Sequence, residues 1–320
     1  MKLAVKLALK LGRVFCATAF LCLASSALPP IYAAPIGPVL SEETLDPGGR
    51  ARRFLVHDYS GGRPAPVVIL LHGGGGNAEY AVNMTQFDVV AEREHLIAVY
   101  PDGTGQTRLL TWNASHCCSY ARENKVDDVG FVSAIIDKLA ASHRADPKRI
   151  YVTGMSNGAM MTHLIGRRLS TRVAAIAPVV GALFGDEPPP AGSVPAIIFV
   201  GADDKTVPGA GGAIGGNRGD GPLGQLRRPP ADHDVAPARA GAEYWAKADG
   251  CTHPETSHPA GAVLVLWTSC KEGAEVAFYT VSDNGHAWPG GRAGRAEANQ
   301  PTQAFSASEI MWAFFKRHTR

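Results

Sequence analysis

Long apolar runs, basic clusters and internal repeats are all missing from this chain, and each absence removes a class of function. The apolar stretch Val14 to Leu23 is too short to cross a bilayer comfortably. Charged residues make up 19% and hydrophobic ones 45%, which excludes both a disordered chain and a multi-span one. Beyond residue 33 there is no Lys- or Arg-rich run to hold nucleic acid and no cationic amphipathic helix to lie on a membrane. No fixed-period repeat is visible, and no C-x-x-C pair occurs among the six cysteines.

What is present begins with a separate object. Lys2, Lys6, Lys10 and Arg13 precede Val14 to Leu23, and small residues follow around Ala24 to Ala34, the layout of a secretory signal peptide. Cleavage is expected after Ala33, with Ser26 or Ala27 as the fallback. Cys22 follows Leu21 rather than a small residue, which argues against a lipid anchor. Removing residues 1–33 takes away four cations and no acids, so the formal net charge passes from +2 to −2. Cys117, Cys118, Cys251 and Cys270 then remain in an exported protein, where disulfides persist. Cys251 and Cys270 read as a local staple, leaving Cys117 and Cys118 vicinally bonded or free. A zinc site drawing on His116, that cysteine pair, His253 and His258 is the rival reading, but consecutive ligands suit tetrahedral zinc poorly, and no metal is expected.

Strand-length apolar runs alternate with helix-periodic segments, the pattern of a mostly parallel sheet covered on both faces. Strands are predicted at Phe54 to His57, Val67 to Leu71, Ile97 to Tyr100, Ile150 to Thr153, Val173 to Val180, Ala196 to Val200, Val263 to Thr268 and Val276 to Val281. Helices are predicted at Ala78 to Glu94, Val129 to His143, Gly158 to Leu169, Ala238 to Ala248 and Phe305 to Lys316. Residues 34–320 read as one catalytic domain, with Gly209 to Pro237 a long surface excursion near the site.

The sharpest local signal is "VTGMSNGAMM", a G-x-S-x-G match that a strand precedes and a helix follows. Such a turn bends so tightly that a side chain at Gly154 or Gly158 collides with neighbouring backbone, and it lifts the Ser156 hydroxyl off the sheet edge. A serine hydroxyl needs a base to take its proton, and the base needs a carboxylate to hold its tautomer. In this fold the order is nucleophile, acid, histidine. Of His163, His233, His253, His258, His286 and His318, only His286 sits in a Gly-rich loop directly after a strand, with Trp288 and Pro289 expected to wall the pocket. His163 should point away inside its helix, and His318 lies at the expected frayed end. The acid comes from "GADDKTVP", and local sequence leaves Asp203 and Asp204 unseparated. "LLHGGGGNAEY" resembles the HGGG-type oxyanion loop, with Gly74 as donor beside the N–H of Asn157. The glycine run lacks the Lys-Ser/Thr ending and the G-x-G-x-x-G spacing of nucleotide sites, so no cofactor is expected. Trp112 and Tyr120 are candidate stacking surfaces for substrate, Asp127 and Asp128 cap a helix or brace the loop, and Trp245 and Trp312 read as core.

Together "LHGGGGNA", "VYPDG", "WNASHCC", "VDDVGF", "VTGMSNGAMM", "AIAPVVG", "GADDKTVP" and "GHAWPGG" resemble the extracellular poly(3-hydroxybutyrate) depolymerase-like and feruloyl esterase group, in carbohydrate esterase family 1 of the α/β-hydrolases. They run in that group's order from about residue 50 to the C-terminus. The resemblance implies an α/β-hydrolase fold and makes Asp204 the acid, because G-x-x-D-x-x-V-P falls on Gly201, Asp204, Val207 and Pro208. It departs at Gly74, where the group often carries cysteine, and in the length of the 209–237 excursion. The expectation is a secreted serine carboxylesterase acting through Ser156, His286 and Asp204 on a small or oligomeric ester, with an acyl-enzyme intermediate. A prolyl oligopeptidase-type peptidase and a catalytically idle binding protein on the same fold are the rivals. No appended polymer-binding domain or Thr/Pro-rich linker is seen, which favours a soluble ester over a crystalline polymer.

Overall fold

The computed structural model describes residues 38–142, 144–215, 231–293 and 300–320. The signal-peptide reading and the middle of the excursion, 216–230, lie outside the described residues. Residues 36–320 form one compact unit.

Among the described residues, ten strands make a single sheet in the order β1-β2-β4-β3-β5-β6-β7-β10-β9-β8. They are β1 Val39–Leu45, β2 Arg52–Asp58, β3 Ala65–Leu71, β4 Ile97–Pro101, β5 Ala145–Met155, β6 Ala175–Val179, β7 Ala196–Gly201, β8 His253–Ser257, β9 Ala262–Thr268 and β10 Val276–Val281. The central pairs, from β4-β3 through β7-β10, are parallel. Both margins are antiparallel. The helices are α1 Ala78–Thr85, α2 Phe87–Glu94, α3 Ser119–Glu123, α4 Asp128–Ala141, α5 Asn157–Arg168, α6 Ala238–Ala248 and α7 Ala307–Phe315.

The buried strand β3, "APVVILL", shows why a continuous apolar run is needed here. Val67, Ile69 and Leu71 pack on one face, in the cluster containing Phe131, Ile135, Met161, Ile165 and Trp245 from α4, α5 and α6. Val68 and Leu70 pack on the other, with Ala81, Phe87, Met311 and Phe315 from α1, α2 and α7. Side chains alternate faces along a strand, so a sheet covered twice needs apolar residues at every position.

The departures from expectation have local causes. One helix predicted over 78–94 is two, because Gln86 takes a left-handed conformation (φ 51°) and its N–H bonds back to Val82 O. Strands β1 ("VLSEETL") and β8 ("HPETS") carry no apolar alternation, since each is an exposed margin whose partner supplies the pairing. His318 is buried rather than frayed: its Nε2 lies 3.0 Å from Glu275 and its carbonyl accepts the Tyr151 hydroxyl at 2.7 Å.

Candidate active site

The turn after β5 is as cramped as its glycines demand. A Cβ on Gly154 would sit 2.5 Å from Gly158 O, and one on Gly158 would crowd Leu71 O and His72 O, both of them backbone that cannot swing aside. Ser156 itself takes φ 57°, ψ −120°, a strained conformation for a residue with a side chain. Its N–H is held by Val179 O at 3.0 Å, and its carbonyl opens α5 by accepting Met160 N–H.

Asp204 and His286 arrive on two loops laced together at the ends of β7 and β10. Asn284 O accepts the Asp203 N–H at 3.1 Å, and Gly201 lies so close beneath Asn284 and Gly285 that no side chain fits there. The buried Asn284 side chain shapes the second loop, donating to Gly285 O and Ala287 O and accepting the Thr302 N–H. Asp204 Oδ1 accepts the N–H groups of Thr206 and Val207 at 2.8 and 2.9 Å, and Oδ2 meets His286 Nδ1 at 2.8 Å. Asp203 is exposed and makes no such contact with His286. Geometry thus separates the two aspartates that local sequence left open.

His286 and Ser156 line one pocket of about 490 Å³, with Gly74, Gly75, Leu109, Cys117, Cys118, Tyr120, Asn157, Met160 and Ile214 among its other walls. Within the glycine loop, Gly75 donates to Leu110 O and Gly76 to Gly73 O. Gly74 and Asn157 border the pocket, Asn157 at the N-terminal end of α5, where the first N–H groups of a helix have no acceptor within it. His72 fixes that loop from below. Gly103 N–H donates to its Nε2 at 2.9 Å, so the proton is on Nδ1 and bonds Gly73 O at 2.8 Å. Complete burial lowers the pKa of His72 to about 4, which keeps the ring neutral and preserves this acceptor.

The two tryptophans expected to touch substrate are buried and are not among the residues lining the pocket. Trp112 is wholly buried: its Nε1–H donates to His72 O at 2.9 Å, and its ring packs 4.8 Å from that of His72. Trp288 is buried with its Nε1–H on Ser308 Oγ. In both, the indole N–H finds a fixed internal acceptor, so the ring serves as packing beneath the site. Tyr120 is the aromatic side chain that does line the pocket.

Long-range side-chain pairings around the site carried little sequence signal. The Asn157 side chain pairs with both backbone groups of Trp112, accepting its N–H at 2.7 Å and donating to its carbonyl at 3.0 Å. Asp127 caps α4 through Gly130 N–H, as expected of one aspartate. Asp128 is instead a buried brace, with Oδ1 on Arg52 Nη2 and Oδ2 accepting Asn113 N–H, both at 2.7 Å. This loop also carries a disulfide between Cys117 and Cys118, and a second joins Cys251 to Cys270. His116 pairs with Asp232 and Asp186, away from the cysteines, and His253 and His258 are exposed on the far margin, so the zinc set conceived from sequence is not assembled. His163 does turn away from the site, accepting Trp245 Nε1–H at 2.9 Å.

Comparison with known proteins agrees with this geometry. Residues 60–207 match the family described as Esterase PHB depolymerase. Feruloyl esterase B of Piromyces equi is 29% identical over 241 residues, covering 74% of this chain and 42% of that protein. The putative esterase NocK of Nocardia uniformis subsp. tsuyamanensis is 29% identical over 260 residues, covering 76% of this chain and 72% of its own. The chain thus spans less than half of the first relative and about three quarters of the second. An acetyl xylan esterase structure from Aspergillus awamori superposes with a TM-score of 0.54 at 13% identity, over 77% of this chain and 94% of that one, which shows the shared fold. The chain therefore has the α/β-hydrolase fold, and residues 60–207 resemble the Esterase PHB depolymerase family.

Proposed function

We propose that the protein is a secreted carboxylesterase that works through a Ser156 acyl-enzyme. The observation that carries this reading is the shared pocket of Ser156 and His286, with His286 Nδ1 held 2.8 Å from an Asp204 carboxylate that two backbone N–H groups also fix.

With Nδ1–H tied to Asp204, the Nε2 lone pair of His286 is the basic site. Ser156 Oγ attacks the ester carbonyl carbon as its proton passes to Nε2, and the negative charge gathers on the former carbonyl oxygen. The N–H groups of Gly74 and Asn157 meet that charge. Collapse expels the alcohol, which takes the proton from Nε2, and leaves Ser156 esterified. Water repeats the sequence, with His286 again accepting and returning one proton, and releases the acid.

His286 is the one ionisable side chain among the walls named for this pocket apart from Tyr120, and Leu109, Met160 and Ile214 make its surface apolar. That lining suits a neutral acyl group: acetyl, feruloyl or a 3-hydroxybutyryl oligomer. Secretion is supported by the two disulfides, which fit an oxidising compartment. Among the described residues no helix is long and apolar enough to cross a membrane.

Ser156→Ala tests the reading on a p-nitrophenyl short-chain ester. Turnover should fall by about 10⁴-fold or more, as when the nucleophile of such a triad is removed. Retained turnover with Ser156→Ala would reject the mechanism. Methyl ferulate, acetylated xylan and 3-hydroxybutyrate oligomers, assayed side by side, identify the acyl group.

A further inference from the structure

Beside the pocket, three segments far apart in sequence converge on one histidine. His116 Nδ1 lies 3.0 Å from Asp232 Oδ1, and His233 Nδ1 lies 2.9 Å from that same oxygen. The two imidazole rings face each other with centroids 3.7 Å apart. His116 Nε2 lies 2.9 Å from Asp186 Oδ2. Arg122 holds the other Asp232 oxygen, which leaves Oδ1 turned toward both rings. One nitrogen of His116, one of His233 and a carboxylate oxygen of Asp232 all fall within 4.8 Å of one another.

Protons can satisfy this set, since a carboxylate oxygen accepts two N–H bonds, but a cation among the three donors satisfies it as well, because it supplies positive charge between the carboxylates while both imidazoles stay neutral and offer lone pairs. Zinc at about 2.0–2.1 Å from nitrogen and oxygen ligands sets tetrahedral donors about 3.3 Å apart, close to the 2.9 and 3.0 Å spacings seen here. Asp186 then occupies the place of the carboxylate that accepts the remaining N–H of a metal-bound histidine and fixes its tautomer.

We propose that His116, Asp232 and His233 form a binding site for a divalent transition ion of the zinc class, with Asp186 orienting His116 from behind. Two imidazoles and one carboxylate favour such an ion over magnesium or calcium, which prefer all-oxygen sets. The site is placed to act on the pocket rim. His116 adjoins the pocket-lining Cys117–Cys118 pair, Ala231 bridges to Cys117, and Asp232 N–H donates to His116 O at 3.2 Å. A bound ion would pin the end of the excursion and the segment carrying Asp186 to the loop that frames the substrate.

The test is calorimetric titration of untagged, EDTA-dialysed protein with ZnCl₂. One ion per chain is expected, with a rise in melting temperature, and MgCl₂ should give no saturable signal. His233→Gln and His116→Gln should each weaken zinc binding by about tenfold or more, and Asp186→Asn should weaken it less. His258→Gln, an exposed histidine on the far margin, should leave the titration unchanged. His233 is itself exposed, so its substitution is compatible with folding, and circular dichroism checks this. Absence of saturable zinc binding, or binding that His233→Gln and His116→Gln leave intact, overturns the proposal. The readout is independent of esterase activity.

Discussion

The histidines divide this molecule into two regions with different physics. In the frame beneath the site, His72 and His163 are fully buried, and each accepts an N–H bond on one ring nitrogen that protonation would destroy. On the rim, His116 and His233 reach solvent and face carboxylates. The frame is fixed by close approach: glycines with no room for a Cβ, indoles with internal acceptors, and a buried ion pair. The rim is stitched by ion pairs and a disulfide. The comparison teaches that Ser156 and the His286 loop rest on close-packed backbone with no room for added side chains, while the pocket rim is assembled from partly exposed side chains.

Substitutions should sort by that division. The largest expected effect is on catalysis: Asp204→Asn should lower kcat by about 10⁴-fold, whereas Asp203→Asn, one residue away and exposed, should leave kcat close to wild type. Equal losses would mean that the carboxylate geometry has been misread. Next comes the frame's stability. Asp128→Ala strands the Arg52 guanidinium in the interior and frees the Asn113 N–H, which should cost about 3–5 kcal/mol in a urea melt.

Acid should destabilise the frame. Burial lowers the folded pKa of His72 to about 4 and of His163 to about 3, from an ordinary 6.5. Below 6.5 the unfolded chain therefore binds protons that the folded chain refuses. The stability these rings provide is fully present above that pH and is lost as pH falls toward 4, at a slope approaching about 1.4 kcal/mol per pH unit for each. His163→Gln should flatten the decline of melting temperature between pH 6.5 and 4, and an unchanged slope would dissociate the histidine from acid lability. Smallest is the rim: Tyr120→Ala should raise KM a few-fold, with kcat and melting temperature nearly unaltered.

The same division explains what the sequence disclosed. Gly154, Ser156 and Gly158 were legible because a strained turn leaves few residue types that fit, and the β3 run because a sheet buried twice leaves no polar position. Trp112 and Trp288 misled because aromatic composition does not reveal where the indole N–H bonds; both point inward to His72 O and Ser308. Asn284, Asn157 and Asp128 act through partners 18, 45 and 76 residues away, and no local pattern carries such pairings. The cluster of Asp186, Asp232, His233 and His116 was invisible for the same reason.

The central claim is that Ser156 alone is made nucleophilic, by His286 held against Asp204. A fluorophosphonate probe followed by peptide mapping tests it most directly. The account predicts one label per chain, on the peptide containing Ser156, and none when His286 is replaced by Ala. An enzyme that hydrolyses esters yet remains unlabelled, or carries the label on another residue, would contradict it.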